Sequence, residues 1–196
     1  LNIFELLVTA FGEEPIIITN ELVLNQVQNK AARYDKTGEQ HYDIISAFIK
    51  SIRGSDPNGA VYWLARMIEG GEDLKFIARR LLISASEDIG NANPTALVIA
   101  NNTFQAVSTI GYPESRIILS HCATYLACSP KSNASYAAIN LAQQKVRETG
   151  DLSVPLEIRN APTKLMKELG YGDNYKYAHN YENNFADQEF LPDEMK

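Results

Sequence analysis

An all-α protein, an antiparallel array of helices with an irregular C-terminal tail, is the fold class this sequence predicts. Three observations predict it. Apolar residues recur at three- and four-residue spacing, as in Ile44, Ile45, Phe48, Ile49 and Ile52, which places them on one face of a helix. Successive segments open on proline and close on glycine, the asymmetry of helix starts and ends. Runs that alternate apolar and polar residues, and strong hairpin turns, are missing.

Taken in order, Leu1 to Phe11 reads as the tail of a helix stopped by Gly12, and Pro15 to Ile18 as a short extended connector. Thr19 or Asn20 caps a second helix through about Lys30. The polar stretch Ala31 to Gly38 marks a boundary between subdomains, giving residues 1–32 and 33–196. A helix follows from Glu39 to Arg53, ended by Gly54. Asp56-Pro57 is an N-cap with proline at the first helical position, and that helix runs to Glu69 before Gly70-Gly71. Asp73 caps the next, to Asp88 or Ile89. Asn93-Pro94 opens one ending near Gly111, Pro113 one through Cys128, and Pro130 one through Thr149. Asn160 caps a short last helix, Ala161 to Leu169. Four successive helices joined by short connections give the antiparallel array.

The charge balance restrains the functional classes. Eighteen Lys and Arg against 24 Asp and Glu give a net charge of −6. Counterion release on nucleic acid needs clustered cations, so strong DNA binding by this chain alone is disfavoured. No run approaches the roughly 18 apolar residues of a membrane helix. The chain begins at Leu1 without a signal segment and reads as a piece cut from a longer protein. Cys122 and Cys128, if on one helix, stand roughly 9 Å apart along its axis, too far for a disulfide. Two free thiols fit a reducing, cytoplasmic compartment.

Catalytic and metal-binding patterns fail at their chemical positions. Gly54-Ser-Asp-Pro-Asn-Gly59 has the glycine spacing of a phosphate-binding loop, yet Ala60 and Val61 stand where Lys and Ser or Thr are needed. His121 and Cys128 are roughly 10.5 Å apart on a helix and cannot meet on one ion. Glu87-Asp88 suits a helix end or a subunit contact better than an acid/base pair. No catalytic, cofactor or metal residues are therefore assigned.

Two segments are candidate anion or DNA sites. Ser129-Pro-Lys-Ser-Asn133 opens a helix, where free N–H groups, the helix dipole and Lys131 favour an anion, with Asn133 at the helix start. Arg159-Asn-Ala-Pro-Thr-Lys164 repeats the arrangement, with Lys167 one turn on. DNA phosphate or a partner carboxylate suits either, and simple capping with solvated lysines is the plainer alternative. Arg79 and Arg80 are read as structural ion-pair partners, with Glu87 as one acceptor. Tyr171 and Tyr177 head an aromatic, cation-interleaved tail that either stacks single-stranded bases or anchors the tail by packing, the latter preferred.

Ile77-Ala-Arg-Arg-Leu-Leu-Ile-Ser-Ala-Ser-Glu-Asp-Ile-Gly-Asn-Ala-Asn-Pro94 and Arg159-Asn-Ala-Pro-Thr-Lys-Leu-Met-Lys-Glu-Leu-Gly-Tyr-Gly172 resemble the C-terminal half of the replication-associated recombination protein A (MgsA) family of AAA+ ATPases. Collinear matches at Ala32–Glu39, Tyr42–Ile45, Lys50–Ser55, Tyr62–Arg66, Cys128–Asn133 and Lys176–His179 extend the resemblance over the whole chain. It implies that residues 1–32 are the end of the AAA+ lid and the rest a helical domain assembling homotetramers. It also implies a bacterial, nucleoid-associated protein active in DNA replication, recombination and repair at stalled forks. Intact members bind ATP and Mg, respond to DNA, and work beside single-stranded DNA-binding protein. The Walker motifs, sensors and arginine finger match nothing here, so the resemblance carries no nucleotide chemistry or cofactor to any residue of this chain.

Overall fold

The computed structural model describes Thr19, Asn20 and residues 39–195, and within them the regular structure is entirely helical, with no strand. The boundary expected near residue 32, and the elements expected over 1–18 and 21–30, lie outside the described residues. Two compact units divide at 138/139.

Among the described residues the first unit holds five complete α-helices, whose positions follow from local chemistry. Helix α1 (Glu39–Arg53) buries Ile44, Ile45, Phe48 and Ile52, the stripe legible in the sequence. After Gly54 the chain turns through Ser55 at a φ of 61°. Asp56 then caps α2 (Pro57–Glu69) by accepting from Gly59 N at 2.9 Å. Gly59 lets the capping Asp56 side chain and Ser51 approach the start of α2 closely. A Cβ there would stand 2.6 Å from the Asp56 carboxylate and 2.8 Å from Ser51 Oγ. The glycine pair that mimics a phosphate loop is therefore a tight α1–α2 corner.

Helix α2 ends at Gly70-Gly71, where Glu72 N reaches back to Met67 O at 3.0 Å. Asp73 caps α3 (Leu74–Ser84) through Lys75 N. The helix expected to run on to Asp88 or Ile89 changes character at Ala85: Ala85–Ile89 is one π turn, followed by a 3-10 turn over Gly90–Ala92. Helix α4 (Thr95–Ile110) presents Ala96, Ala100, Thr103 and Val107 inward, small side chains that let a neighbouring helix approach closely. Helix α5 (Ser115–Cys128) starts two residues later than expected, because Pro113 lies in a turn in which Ser115 N donates to Gly111 O. Leu119, Cys122, Ala123, Leu126 and Ala127 are buried on it. Helix α5 is the hub and packs against α1, α2, α3 and α4.

Helix α6 starts at Ala134 and ends at Thr149, not at the Pro130 suggested by the proline rule. Ser129 is extended at ψ 149°, the conformation preferred before proline, and the chain stays out of helix through Asn133. None of the 16 residues of α6 is buried.

The second unit continues with a 3-10 turn at Leu156–Ile158 and a five-residue helix, α7 (Lys164–Glu168). Its cap is Thr163, accepting from Met166 N at 3.3 Å, rather than Asn160. Pro162 biases Ala161 away from helix, which moves the start past it. Beyond α7 the chain is irregular, with 3-10 turns at Ala178–Asn180, Glu182–Asn184 and Asp193–Met195. Past Ser129, Pro155 alone is buried among the described residues. No helix among them is long and apolar enough to cross a membrane.

Candidate functional site

The π turn carries a cluster of hydrogen-bonded polar groups. By adding a residue to the helical turn, it turns Glu87 and Asp88 together toward the end of α1. Asp88 is 7% exposed. Its Oδ1 accepts from Arg53 Nε at 2.6 Å, and its Oδ2 from Ser84 Oγ at 2.6 Å. The Asp88 backbone carbonyl accepts from Ser132 N at 2.8 Å. Glu87 adds a looser contact, 3.5 Å from Arg53 Nη2. The bond to Asp88 and its charge raise the Arg53 pKa above the ordinary guanidinium value. Glu87 therefore pairs with Arg53. Arg79 instead reaches Asp73 at 3.7 Å and lies over the Phe76 ring at 5.9 Å, and Arg80 Nε is buried without a hydrogen-bond partner.

Lys131 lies beside this cluster. Its Nζ donates to the carbonyls of Leu126, Ala127 and Ser129 at 3.0, 2.9 and 2.7 Å, and to Ser55 Oγ at 3.1 Å. A cation on the last carbonyls of a helix satisfies orphan acceptors and meets the negative end of the dipole. The Lys131 ammonium thus closes α5 and ties it to the α1–α2 corner. Burial lowers its pKa. Glu87, Asp88, Lys131 and Asn133 line one cavity of about 480 Å³ with Arg53, Ser132 and Tyr136. Sequence reasoning gave Arg53 no role. Its acceptor lies 35 positions away, and a last-turn arginine followed by glycine carries no local sign of a long-range partner.

The second candidate segment lies in the second unit. Arg159 Nε donates to Val154 O at 2.6 Å and Nη1 to Tyr171 OH at 3.2 Å, with the guanidinium 5.1 Å from the Tyr171 ring centre. Gly172 N donates to Leu156 O at 2.9 Å, and a Cβ on Gly172 would stand 3.3 Å from Arg159 O. Arg159 and Tyr171 therefore fasten the loop before α7 to the turn after it. Lys167 joins them around a cavity of about 620 Å³ with Tyr175 and Phe190 at its edge. Lys164 is 3.8 Å from Glu168, one turn along its own helix. Tyr177 is exposed and meets the His179 ring edge-on at 5.1 Å. Helix α7 is too short to offer the helix-start site expected of Arg159–Lys164.

Among the described residues no group of three or more His, Cys, Asp or Glu is placed to hold a metal ion. Cys122 and Cys128 are both free thiols, the first buried and the second exposed. Burial pushes the Cys122 thiol up from 9.0 to about 11.

The described residues form an all-helical array whose polar clusters bind the fold to itself, and comparison with known proteins gives its family. Residues 54–196 match the family model described as MgsA AAA+ ATPase C terminal. Residues 1–53 match the one described as AAA C-terminal domain. The chain belongs to the MgsA family of AAA+ ATPases and corresponds to its C-terminal region. It is 43% identical over 198 residues to replication-associated recombination protein A of Coxiella burnetii, covering all of this chain and 45% of that protein. The protein of the same name from Bacillus subtilis is 45% identical over 199 residues, covering all of this chain and 47% of its own length. That of Escherichia coli K12 is 44% identical over 180 residues, 91% of this chain and 40% of the relative. The chain thus spans less than half the length of these relatives.

Proposed function

We propose that this chain is the assembly and partner-docking region of a AAA+ ATPase that acts in replication-associated recombination and repair, and that it performs no chemistry itself. One observation carries the proposal: from α6 onward, apolar side chains are abundant and uncovered. Ile139, Leu141 and Val146 are 55, 67 and 61% exposed. Leu156, Leu165, Leu169, Phe185, Phe190 and Leu191 are exposed as well. Ile139, Ala142 and Val146 share one face of α6, with Ala138 beside them. Scattered apolar residues are ordinary on a surface, but a helix with an apolar stripe and no buried residue needs a neighbour to cover it. Interfaces between permanently associated subunits resemble a core cut in half. A second copy of the chain supplies the matching apolar face, and a closed homotetramer is the assembly expected. In the intact protein, ATP and Mg bind upstream of this region, and DNA and single-stranded DNA-binding protein are the partners that the assembly presents to the motor.

The alternative, a DNA-binding module using basic helix starts and the aromatic tail, draws less support. Lys131 and Arg159 are engaged within the fold, and the chain carries net negative charge. Light scattering tests the proposal. A mass near four chains, reduced by Ile139→Glu with Val146→Glu while helical content is kept, is expected. An unaltered mass in that variant contradicts the role given to α6.

A further inference from the structure

The boundary between the two family segments falls at 53/54, directly after Arg53. Helix α1 thus ends the segment matched to the AAA C-terminal domain, yet its apolar face forms part of the core built by α2 and α5. Phe48 and Ile52 anchor it by burial, which is non-directional and leaves the hydrogen-bond geometry of the helix end to polar contacts. The polar contacts at its end are directional. Arg53 Nε meets Asp88 Oδ1 at 2.6 Å, and the other carboxylate oxygen is held by Ser84. The same residue's carbonyl receives Ser132 N at 2.8 Å, two residues before α6. Asp88 therefore touches α1 with its side chain and the entry to α6 with its backbone. A π turn, a form common at functional positions, sets both orientations. Gly90 closes the arrangement: at φ 49°, a Cβ there would press on Ser132 O at 3.1 Å.

We infer that Arg53, Asp88 and Ser132 form a relay that passes displacements of the AAA-side segment into the start of α6. The inference rests on the assembly reading for its purpose, since α6 carries the proposed subunit contacts, but not for its geometry. In a motor, such a relay lets nucleotide state alter subunit contacts, and subunit contacts bias nucleotide state by the same amount.

Hydrogen–deuterium exchange on the purified chain tests the relay directly. Arg53→Ala is expected to speed amide exchange about tenfold in residues 84–90 and also in 129–137, to which Arg53 makes no hydrogen bond. Asp88→Asn, which keeps the side chain's size and the backbone carbonyl, is expected to loosen 48–54 and 129–137 together. Glu87→Gln, at the looser 3.5 Å contact, is expected to change neither. If Arg53→Ala fails to fold, Arg53→Lys, which keeps the charge and loses Nε, is judged by the same criterion. Changes confined to residues 48–54 overturn the relay. A second arm uses the longer protein with ADP and with a non-hydrolysable ATP analogue. Exchange in 129–137 that differs between the two in the wild type, and not in Arg53→Ala, supports the relay in its motor. A nucleotide effect in 1–53 that never reaches 129–137 overturns it. Absence of any nucleotide effect in 1–53 contradicts the motor reading, while the first arm still decides the relay.

Discussion

Helices α5 and α6 are close in length, 14 and 16 residues, and are separated by five residues of chain, yet their environments are opposite. Helix α5 touches four other helices and buries Ser115, Leu119, Cys122, Ala123, Leu126 and Ala127. Helix α6 buries nothing, although Ile139, Ala142 and Val146 repeat at a comparable spacing. Apolar spacing thus reports that a face seeks a partner, not where the partner is. For α5 it is the same chain. For α6, the proposal is that it is another copy.

Substitutions sharpen this contrast. The largest expected effect is at Phe48, wholly buried among α1's neighbours: Phe48→Ala leaves a cavity and should cost about 3–5 kcal/mol in a denaturant titration. Leu165→Ala, at a side chain 63% exposed, should lie within about 0.5 kcal/mol of the parent under dilute, monomeric conditions. Equal costs at the two positions would erase the distinction between the regions.

The thiol of Cys122 gives the next effect. Its folded pKa is raised to about 11 from 9.0 by burial, so the folded state keeps a proton that the unfolded chain releases. The stabilisation is complete below pH 9 and is lost as pH rises toward 11, about 2–3 kcal/mol in all. Cys122→Ala should flatten that part of the stability profile. Exposed Cys128 should react with a thiol reagent in the native protein, and Cys122 only after unfolding.

The smallest effect distinguishes caps. Asp56→Ala removes the cap of a 13-residue helix packed on the core and should cost about 1 kcal/mol in thermal or chemical unfolding. Thr163→Ala removes the cap of a five-residue helix with no buried side chain, and should lower stability by about a few tenths of a kcal/mol at most.

What the sequence discloses follows from the range over which each signal acts. Helices α1 to α5 are written locally: apolar spacing places the faces, Asp56 and Asp73 the caps, Gly54 and Gly70 the stops. Errors arise where a distant group overrides a local rule. Pro130 is a good first helical residue, but Lys131 is drawn back to three carbonyls of the preceding turn and Ser132 to Asp88, so α6 waits until Ala134. The π turn replaces a regular helix end because Asp88 has partners on both sides. Arg53, the cation that matters most to that cluster, lacks any nearby mark in the chain. Of the basic residues expected to greet an anion, Lys131 and Arg159 are instead fastened to carbonyls and a tyrosine. A lysine's position before a helix does not reveal whether its ammonium will find an acceptor inside the protein.

Mass in solution is the most direct test of the central claim that the uncovered apolar surface from α6 onward is buried between copies of this chain. Multi-angle light scattering across a concentration series should show a species larger than one chain, with a mass near four. A single-chain mass persisting at high concentration would contradict the account.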